Sequence, residues 1–355
     1  DAISTEAVRR GLRGFNEQNL SNTAWAFAKA GNAALELFDA IAAESVRRGL
    51  GGFNEQDLSN TAWSFATAGH AAKVLFDAIA AEAVRRGLRG FNEQALSNTA
   101  WAFATAGHAA KGLFDAISTE AVRRGLRGFN EQHLSNTAWA FAKAGHVAKV
   151  LFDAISTEVV RRGLRGFNEQ HLSNTAWAFA VSDPPSADEL FGPASFAARC
   201  AHLESSFSRL DLSQLHQWSL WREERSGRGA MWPELPDSLR QACRNAFVEE
   251  DAQPSQLQSD VVREIRSHDV EHVEEEHRCE ASGYSIDALL TLNDGKQIAV
   301  EVDGPFHFVG RSHLPNGATV LKHRQLRHFG WRLESVKYWE WDISKVLPWL
   351  PRRSQ

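Results

Sequence analysis

Apolar and polar residues recur along the first half of the chain with a period of 38 residues, marked by Trp25, Trp63, Trp101, Trp139 and Trp177. Around each tryptophan, the segment NEQ-x-LSNTAW-x-FA spaces apolar residues as one face of an α-helix requires. An Asn before it and a Gly after it predict where this helix begins and ends. Stretches such as LFDAIAAEAVRRG predict a second helix with arginines in its last turn, where the helix dipole favours cations. The period therefore predicts an α-solenoid of about five helical hairpins over residues 1–181.

The two sides of the first helix of each unit can be assigned at about 100° per residue. Leu20, Ala24, Phe27 and Gly31 share the side that we expect to be core. The opposite side carries position 19 (Asn19, Asp57, Ala95, His133, His171), position 22 (Asn22, Asn60, Asn98, Asn136, Asn174), position 26 and position 29 (Lys29, Thr67, Thr105, Lys143, Val181). A constant Asn between residues that change from copy to copy predicts a surface on which each unit recognises one element of a linear polymer. The alternative is that exposed positions drift because nothing constrains them.

Arginine pairs recur at the end of the second helix: Arg9/Arg10, Arg47/Arg48, Arg85/Arg86, Arg123/Arg124 and Arg161/Arg162. They could lie along a phosphate backbone, which is bound independently of sequence. They could equally cap the helix dipole and pair with nearby glutamates. The sequence leaves both roles open.

The pattern changes after the proline-rich segment VSDPPSADELFGP, which predicts a boundary near residue 182. We expect a divergent helical connector over 182–254 and a small α/β domain over 255–355, with its core at 284–343. HVEEEHR, YSIDALLTL, KQIAVEVD and GWRLESVKYW predict strands, with ATVLKHRQLRHF and EWDISKVLPWL as helices. In strand KQIAVEVD, alternation places Glu301 and Asp303 on one face. Crowded carboxylates repel unless a metal or a basic side chain lies between them.

Composition excludes several classes of protein. No apolar run approaches the 18 or so residues of a membrane-spanning helix, so no membrane partner is expected. The 3 widely separated cysteines favour neither a disulfide framework nor a zinc site. The net charge of -5 hides a basic segment from residue 304 onwards, which suits an anionic partner. The chain begins inside a repeat, so we expect further repeats and any targeting segment upstream.

The 38-residue unit with LSNTAWAFAKAG resembles the octotricopeptide repeat, a class of RNA-binding solenoid of organelle gene expression. The resemblance covers residues 1–181 and implies modular binding of single-stranded RNA in a mitochondrion or chloroplast. Five units would contact about five nucleotides by the logic of one base per repeat. Among the site residues this implies are Asn19, Lys29, Asp57, Thr67, Thr105, His133, Lys143 and His171, together with the constant asparagines.

The last 70 or so residues, with IAVEVDGPFHF and TVLKHRQLRHFGWRLESVKYWEW, resemble a RAP domain, whose nuclease-like fold is related to very short patch repair endonucleases. In the nuclease pattern, Asp287 and Glu301 would hold Mg²⁺. The lysine of that pattern is replaced by Asp303. His307 could then act as general base, with Lys322 or Arg324 replacing the missing cation. The alternative is a structural cluster in which the acids pair with Arg324, Lys322 or His307.

The patterns predict a multidomain protein, an α-solenoid of helical hairpin repeats followed by a small α/β domain, and the resemblance implies that this domain is restriction-endonuclease-like. The expected function is sequence-selective binding of single-stranded RNA in organellar RNA processing, stability or translation. Lys322, Arg324, Arg327 and Arg332 would bind RNA in the C-terminal domain, and a partner nuclease or ribosomal and RNA-processing proteins are expected partners. No cofactor is expected unless the protein is a Mg²⁺-dependent endoribonuclease guided by the repeats, which is the first alternative. A protein-binding solenoid scaffold is the second.

Overall fold

A computed structural model describes residues 2–32, 34–249, 254–310, 312–344 and 349–350. The chain forms two compact regions, the N-terminal region (residues 1–195) and the C-terminal region (residues 196–355). The predicted limits of the three domains stay predictions. Within the described residues, no helix is long and apolar enough to cross a membrane.

Two rows of helices alternate along the N-terminal region. The ladder helices are α2 (Glu17–Lys29), α4 (Glu55–Thr67), α6 (Glu93–Thr105), α8 (Glu131–Lys143) and α10 (Glu169–Ser182). The flanking helices are α1 (Ala2–Arg9), α3 (Leu35–Arg48), α5 (Lys73–Arg85), α7 (Lys111–Arg123) and α9 (Lys149–Arg162), and α11 (Ala187–Phe191) follows. Each ladder helix packs on the next ladder helix, and each flanking helix packs on its own neighbours in the second row. The predicted α-solenoid is therefore confirmed.

Each ladder helix begins at the predicted Asn. The side chains of Asn16, Asn54, Asn92, Asn130 and Asn168 each accept a hydrogen bond from the backbone N–H three residues later. Such a bond satisfies one of the donors that the first turn of a helix leaves unpaired. The capping Asn of each copy, Asn16 and its equivalents, therefore fixes the start of the helix that follows it.

Small residues let the ladder helices approach one another closely. Ala24, Ala62 and Ala100 are fully buried between them. The hydroxyl of Ser21 donates to the carbonyl of Asp57 at 3.2 Å, and that of Ser59 donates to the carbonyl of Ala95 at 3.2 Å. The hydroxyl of Ser97 repeats this contact with the carbonyl of His133 at 3.4 Å, so the first four ladder helices stack in the same register.

The second arginine of each pair joins one unit to the previous one. In the third unit, Arg86 pairs with Glu82 at 2.7 Å in its own helix, and it donates to the carbonyl of Leu50 at 3.0 Å. It also reaches Glu55 of the previous unit at 3.3 Å. A Cβ on Gly90 would lie 2.9 Å from Oε1 of Glu55, so the constant Gly of the RGF segment leaves room for this contact. Arg48, Arg124 and Arg162 repeat the arrangement.

At the opposite end of the flanking helices, a histidine–aspartate contact joins a flanking helix to the end of the ladder helix that follows it. Nε2 of His70 lies 2.9 Å from Asp39, that of His108 2.9 Å from Asp77, and that of His146 3.0 Å from Asp115. The ring of His108 also stacks on Phe76, with centroids 5.5 Å apart. Burial lowers the pKa of His108 and His146, although the neighbouring aspartates act to raise it.

The C-terminal region contains a four-stranded sheet with helices on both faces. Its strands are β1 (His272–Arg278), β2 (Ser285–Thr291), β3 (Gln297–Asp303) and β4 (Leu333–Lys337). Its helices are α12 (Ser195–His202), α13 (Arg209–Ser226), α14 (Asp237–Val248), α15 (Gln256–Ser267), α16 (Gly317–His328) and α17 (Tyr338–Ser344). The sheet order is β1-β2-β3-β4, with antiparallel pairs up to β3 and a parallel β3–β4 pair that α16 connects. The predicted small α/β domain is confirmed; residues 345–348 of its closing helix lie outside the described residues.

Both faces of the sheet are covered. Val261, Val262 and Ile265 of α15 pack on one face, and Leu220 of α13 and Leu326 of α16 pack on the other. In addition, the hydroxyl of buried Tyr284 donates to Gln325 at 2.8 Å and accepts from Gln217 at 2.7 Å. These contacts fix α16 over the carboxyl end of β3, which is where the predicted acids lie.

We predict that the solenoid loses stability on mild acidification. The pKa of His108 and His146 is lowered from about 6.5, so below that pH the unfolded chain binds protons that the folded chain resists. Asp77 and Asp115 have lowered pKa values too, but their protonation matters only below their ordinary range near 3.8. Urea unfolding should therefore give a smaller free energy at about pH 5.5 than at pH 7.

The first unit has Asn32 at the equivalent position, so a His108→Asn, His146→Asn double variant is a natural control. Its stability should depend less on pH across this range. An unchanged pH dependence in the double variant would contradict the role of these two histidines.

Candidate nucleic-acid interface

One side of each of the first four ladder helices faces solvent. In α4 it carries Gln56, Asn60, Trp63 and Thr67, which are spaced four, three and four residues apart. Nε2 of Gln56 donates to Oδ1 of Asn60 at 2.8 Å, which shows that the two side chains lie on the same side. We call this set in every unit the open stripe. Its members are Gln18, Asn22, Trp25, Lys29; Gln56, Asn60, Trp63, Thr67; Gln94, Asn98, Trp101, Thr105; Gln132, Asn136, Trp139, Lys143; and Gln170, Asn174, Trp177, Val181.

The sequence-based assignment of this surface was half wrong. Positions 22 and 29 belong to the open stripe, but positions 19 and 26 lie where ladder helices pack on one another. Asp57 is 5% exposed, Ala95 is 1% exposed, and Ser64 is fully buried. The physical reason is that a ladder helix has neighbours on its sides as well as the flanking helices behind it.

The structure places the predicted solenoid residues as follows. Asn19, Asn22, Lys29, Thr67 and Thr105 are exposed; Asn60, Asn98, His133, Asn136, Lys143 and His171 are half-buried; Asp57 and Asn174 are buried. Position 19 also has a local role, because its side chain accepts the backbone N–H of the capping Asn. Asp57 does so at 3.2 Å and His133 at 3.3 Å. Capping therefore accounts for polar residues at position 19 without any ligand.

A row of tryptophans was missed by the sequence analysis, which used them only as markers of the period. The ring centroids of Trp63 and Trp101 are 6.3 Å apart, with 29° between their planes. Trp25 is 44% exposed, and Trp63, Trp101 and Trp139 are half-buried. In the fifth unit Trp177 is 5% exposed and Val181 is 8% exposed, so the open part of the stripe covers the first four units. The available signal was a constant Trp on the same helical face as the constant Asn.

Exposed arginines lie where the flanking helices end and the ladder helices begin. The first arginine of each pair is exposed but bonds its own glutamate, as Arg85 does to Glu82 at 2.6 Å. A second set was also missed by the sequence analysis: Arg13, Arg89, Arg127 and Arg165, which are exposed. Within the described ranges these four guanidinium groups form no ion pair, so they remain available to an external anion.

We predict opposite effects from two arginines of the same unit. Arg86→Ala removes a half-buried guanidinium that joins two units, so it should lower the free energy of unfolding by about 1–3 kcal/mol. Arg89→Ala should leave it within about 0.5 kcal/mol, because that side chain is exposed. Urea unfolding of both variants checks this. Equal losses would show that Arg89 also has a structural role.

Three acids meet at the carboxyl end of β3 in the C-terminal region. Glu301 and Asp303 share one face of the strand, as alternation predicts, and they are 0% and 1% exposed. Asp287 of β2 accepts the backbone N–H of Val302 at 2.6 Å. Nζ of Lys322, on α16, lies 2.5 Å from Oε2 of Glu301. A basic side chain thus occupies the place between the carboxylates.

Asp303 has different partners. Its Oδ1 lies 2.8 Å from Nδ1 of His307 and 3.5 Å from Nε2 of His323, and its Oδ2 accepts from the hydroxyl of Ser335. Burial acts to raise the pKa of Asp303, but these hydrogen bonds outweigh it and hold the pKa well below its ordinary range. Asp303 is therefore a carboxylate that orients the His307 ring.

Glu301 behaves in the opposite way. Burial raises its pKa to about 8, against the attraction of the Lys322 ammonium. Burial also raises the pKa of Asp287. Desolvation acts to lower the pKa of Lys322, but Glu301 and Asp287 outweigh it and keep the ammonium charged.

These residues do not fit a divalent cation. Nζ of Lys322 already contacts Oε2 of Glu301, and one oxygen of Asp287 is engaged by a backbone N–H. In the part of the chain that the structure describes, no three His, Cys, Asp or Glu side chains are arranged to hold a metal ion. The predicted metal pair Asp287 and Glu301 stays a prediction.

The basic residues of α16 and of the segment that follows it differ in how far a ligand could reach them. Arg324 pairs with Glu224 of α13 at 3.0 Å rather than with Glu301 or Asp303. Arg327 is exposed, and Arg332 lies 3.5 Å from Glu334. Beside His307, whose side chain is 37% exposed, Phe306 is 94% exposed. Phe306, His307 and Arg327 thus offer stacking and cationic groups to a ligand.

Comparison with known proteins finds a family match in the C-terminal region. Residues 300–344 match the family model described as RAP domain. The chain carries a RAP domain. A stretch of 60 residues is 38% identical to "RAP domain-containing protein, chloroplastic" of Oryza sativa subsp. japonica. That stretch is 17% of this chain and 9% of the rice protein. The RAP match contains Glu301, Asp303, His307 and Lys322, whereas Asp287 precedes it. The predicted RAP domain is confirmed, and the octotricopeptide identity of the repeats stays a prediction.

We predict that the Lys322–Glu301 pair is coupled. Lys322→Met leaves a buried carboxyl group without its partner and should cost about 3 kcal/mol of stability. A Lys322→Met, Glu301→Gln double variant should recover most of this loss, because it removes both charges. Arg327→Ala is the control and should change stability by less than about 0.5 kcal/mol. Additive losses in the double variant would contradict the coupling.

Proposed function

We propose that this protein binds single-stranded RNA along the open stripe and acts in organellar RNA metabolism. The observation that carries the proposal is one exposed or half-buried Trp per unit, next to a constant Asn and Gln, in the first four units. Bases of any kind stack on aromatic side chains, and amide side chains hydrogen-bond base edges. The stripe thus supplies what single-strand binding requires.

Phosphates require cations, and four of the five units supply an exposed arginine; the second unit has Gly51 at that position. Arg13, Arg89, Arg127 and Arg165 follow the flanking helices, just before the ladder helices begin. Neutralised phosphates release counterions, which makes affinity fall with salt. In the first, third and fourth units, a ring for the base and a guanidinium for the phosphate support a register of one nucleotide per unit; the second unit has the ring but Gly51 in place of the arginine.

The RAP domain supports the same function. Arg327, His307 and Phe306 would hold the backbone and a base of the RNA, whereas Lys322 is engaged by Glu301. The rice relative is described as chloroplastic, which favours an organelle; both mitochondrion and chloroplast agree with the resemblance. Processing, stabilisation and translation of a transcript are the roles such binding would serve.

Cleavage of RNA by the RAP domain is a second candidate, favoured by one contact. Nδ1 of His307 lies 2.8 Å from Asp303, so its Nε2 remains to accept a proton as a general base. Labelled RNA incubated with the protein in Mg²⁺ or in EDTA tests this. His307→Gln should abolish any cleavage, and cleavage that persists in that variant would exclude His307.

Salt dependence tests RNA binding against the scaffold alternative. Fluorescence anisotropy with a short single-stranded RNA should give a log affinity that falls linearly with log salt. An Arg89→Ala, Arg127→Ala double variant should reduce the magnitude of that slope by about 1.4, since each phosphate contact contributes about 0.7 for single strands.

The matched control is Lys73→Ala, Lys111→Ala, which removes the same charge from the opposite ends of the flanking helices. Its slope should equal that of the wild type. No measurable RNA binding at low salt would overturn the proposal, and salt-insensitive binding of a peptide would favour the scaffold.

A further inference from the structure

The open stripes of the solenoid are of two kinds. The second and third units present the same four side-chain types, Gln, Asn, Trp and Thr. The first and fourth units present Gln, Asn, Trp and Lys. In the fifth unit Asn174, Trp177 and Val181 are 9%, 5% and 8% exposed, so this unit does not extend the series. Four open units thus follow the order Lys-type, Thr-type, Thr-type, Lys-type.

The copies differ in sequence at position 19, but this difference is hidden from a ligand in the two middle units. Asp57 is 5% exposed and Ala95 is 1% exposed, because both lie against the preceding ladder helix. The carbonyls of these two residues accept the hydroxyls of Ser21 and Ser59 of the preceding helices. The open stripes of the second and third units are therefore alike, although the two units differ in sequence at position 19.

Resting on the proposed function, we infer that the open stripe selects a four-nucleotide RNA tract whose two middle bases are alike and whose two outer bases are alike. Identical groups in identical register prefer the same base. The tryptophans add stacking that tolerates every base, so they contribute affinity without selection. Selection then falls to position 29, where the units differ.

The chemistry at position 29 distinguishes the outer bases from the middle ones. A Lys ammonium has donors and no acceptor, so Lys29 and Lys143 favour a base edge rich in acceptors, such as the O6 and N7 of guanine. The hydroxyls of Thr67 and Thr105 both donate and accept, so they favour a different edge. The Lys–Thr–Thr–Lys order is the same in both directions, and the expected base pattern is thus independent of strand polarity.

Sequencing of RNA bound from a randomised pool tests the inference on the full chain. The wild type should enrich a tract with equal outer preferences and equal middle preferences. Thr67→Lys should convert the preference at the second position into that of the outer positions, a change of about tenfold in relative affinity for the two bases. Lys already occurs at this position in the first and fourth units, so this variant is expected to fold.

The control is Asp57→Ala, which gives the second unit the residue that the third unit carries at this position. It should leave the preference at every position within about twofold, because the residue is buried. Different preferences at the two middle positions of the wild type, no preference anywhere, or a preference altered by Asp57→Ala and not by Thr67→Lys would each overturn the inference. Failure to bind any RNA would instead overturn the proposed function.

Discussion

The close lateral packing of the ladder helices determines the rest of the solenoid. It depends on alanines and serines that let two helices approach until a serine hydroxyl of one reaches a backbone carbonyl of the next, as Ser21 does with Asp57 at 3.2 Å. Once the helices pack in this way, Asp57 and Ala95 at position 19 and Ser64 at position 26 are enclosed. The side chains left towards solvent are those at positions 18, 22, 25 and 29. The candidate RNA surface is therefore a consequence of how the helices stack.

The arginines at the ends of the flanking helices differ in their contacts. Arg86 and its equivalents contact Glu and backbone carbonyls of the previous unit, whereas Arg89, Arg127 and Arg165 remain open to an anion. The His108–Asp77 contact joins the opposite end and makes the stack sensitive to protonation. Residues three positions apart in one short segment thus serve different purposes, which the sequence pattern RRGLRG does not distinguish.

Local features were predictable from the sequence, and long-range ones were not. The 38-residue period and the capping asparagines gave the helices and their starts, because both depend on residues within one turn. The exposed face was assigned only in part, since an angle of about 100° per residue places side chains around a helix without placing its neighbours. The His108–Asp77 contact spans 31 residues and joins two helices, so no local sequence pattern predicts it. In the RAP domain, alternation predicted that Glu301 and Asp303 share a face. Which cation lies between the acids depends on the rotation of α16 over the sheet, and this brings Lys322 to Glu301 and turns Arg324 to Glu224.

The most direct test of the central claim is to map where RNA touches the solenoid. Ultraviolet crosslinking of a short single-stranded RNA to the full chain, followed by mass spectrometry, identifies the contacted residues. The account predicts crosslinks on peptides that carry Trp63, Trp101 and Trp139 of the open stripe. Crosslinks confined to the flanking helices, with none on the ladder helices, would contradict it.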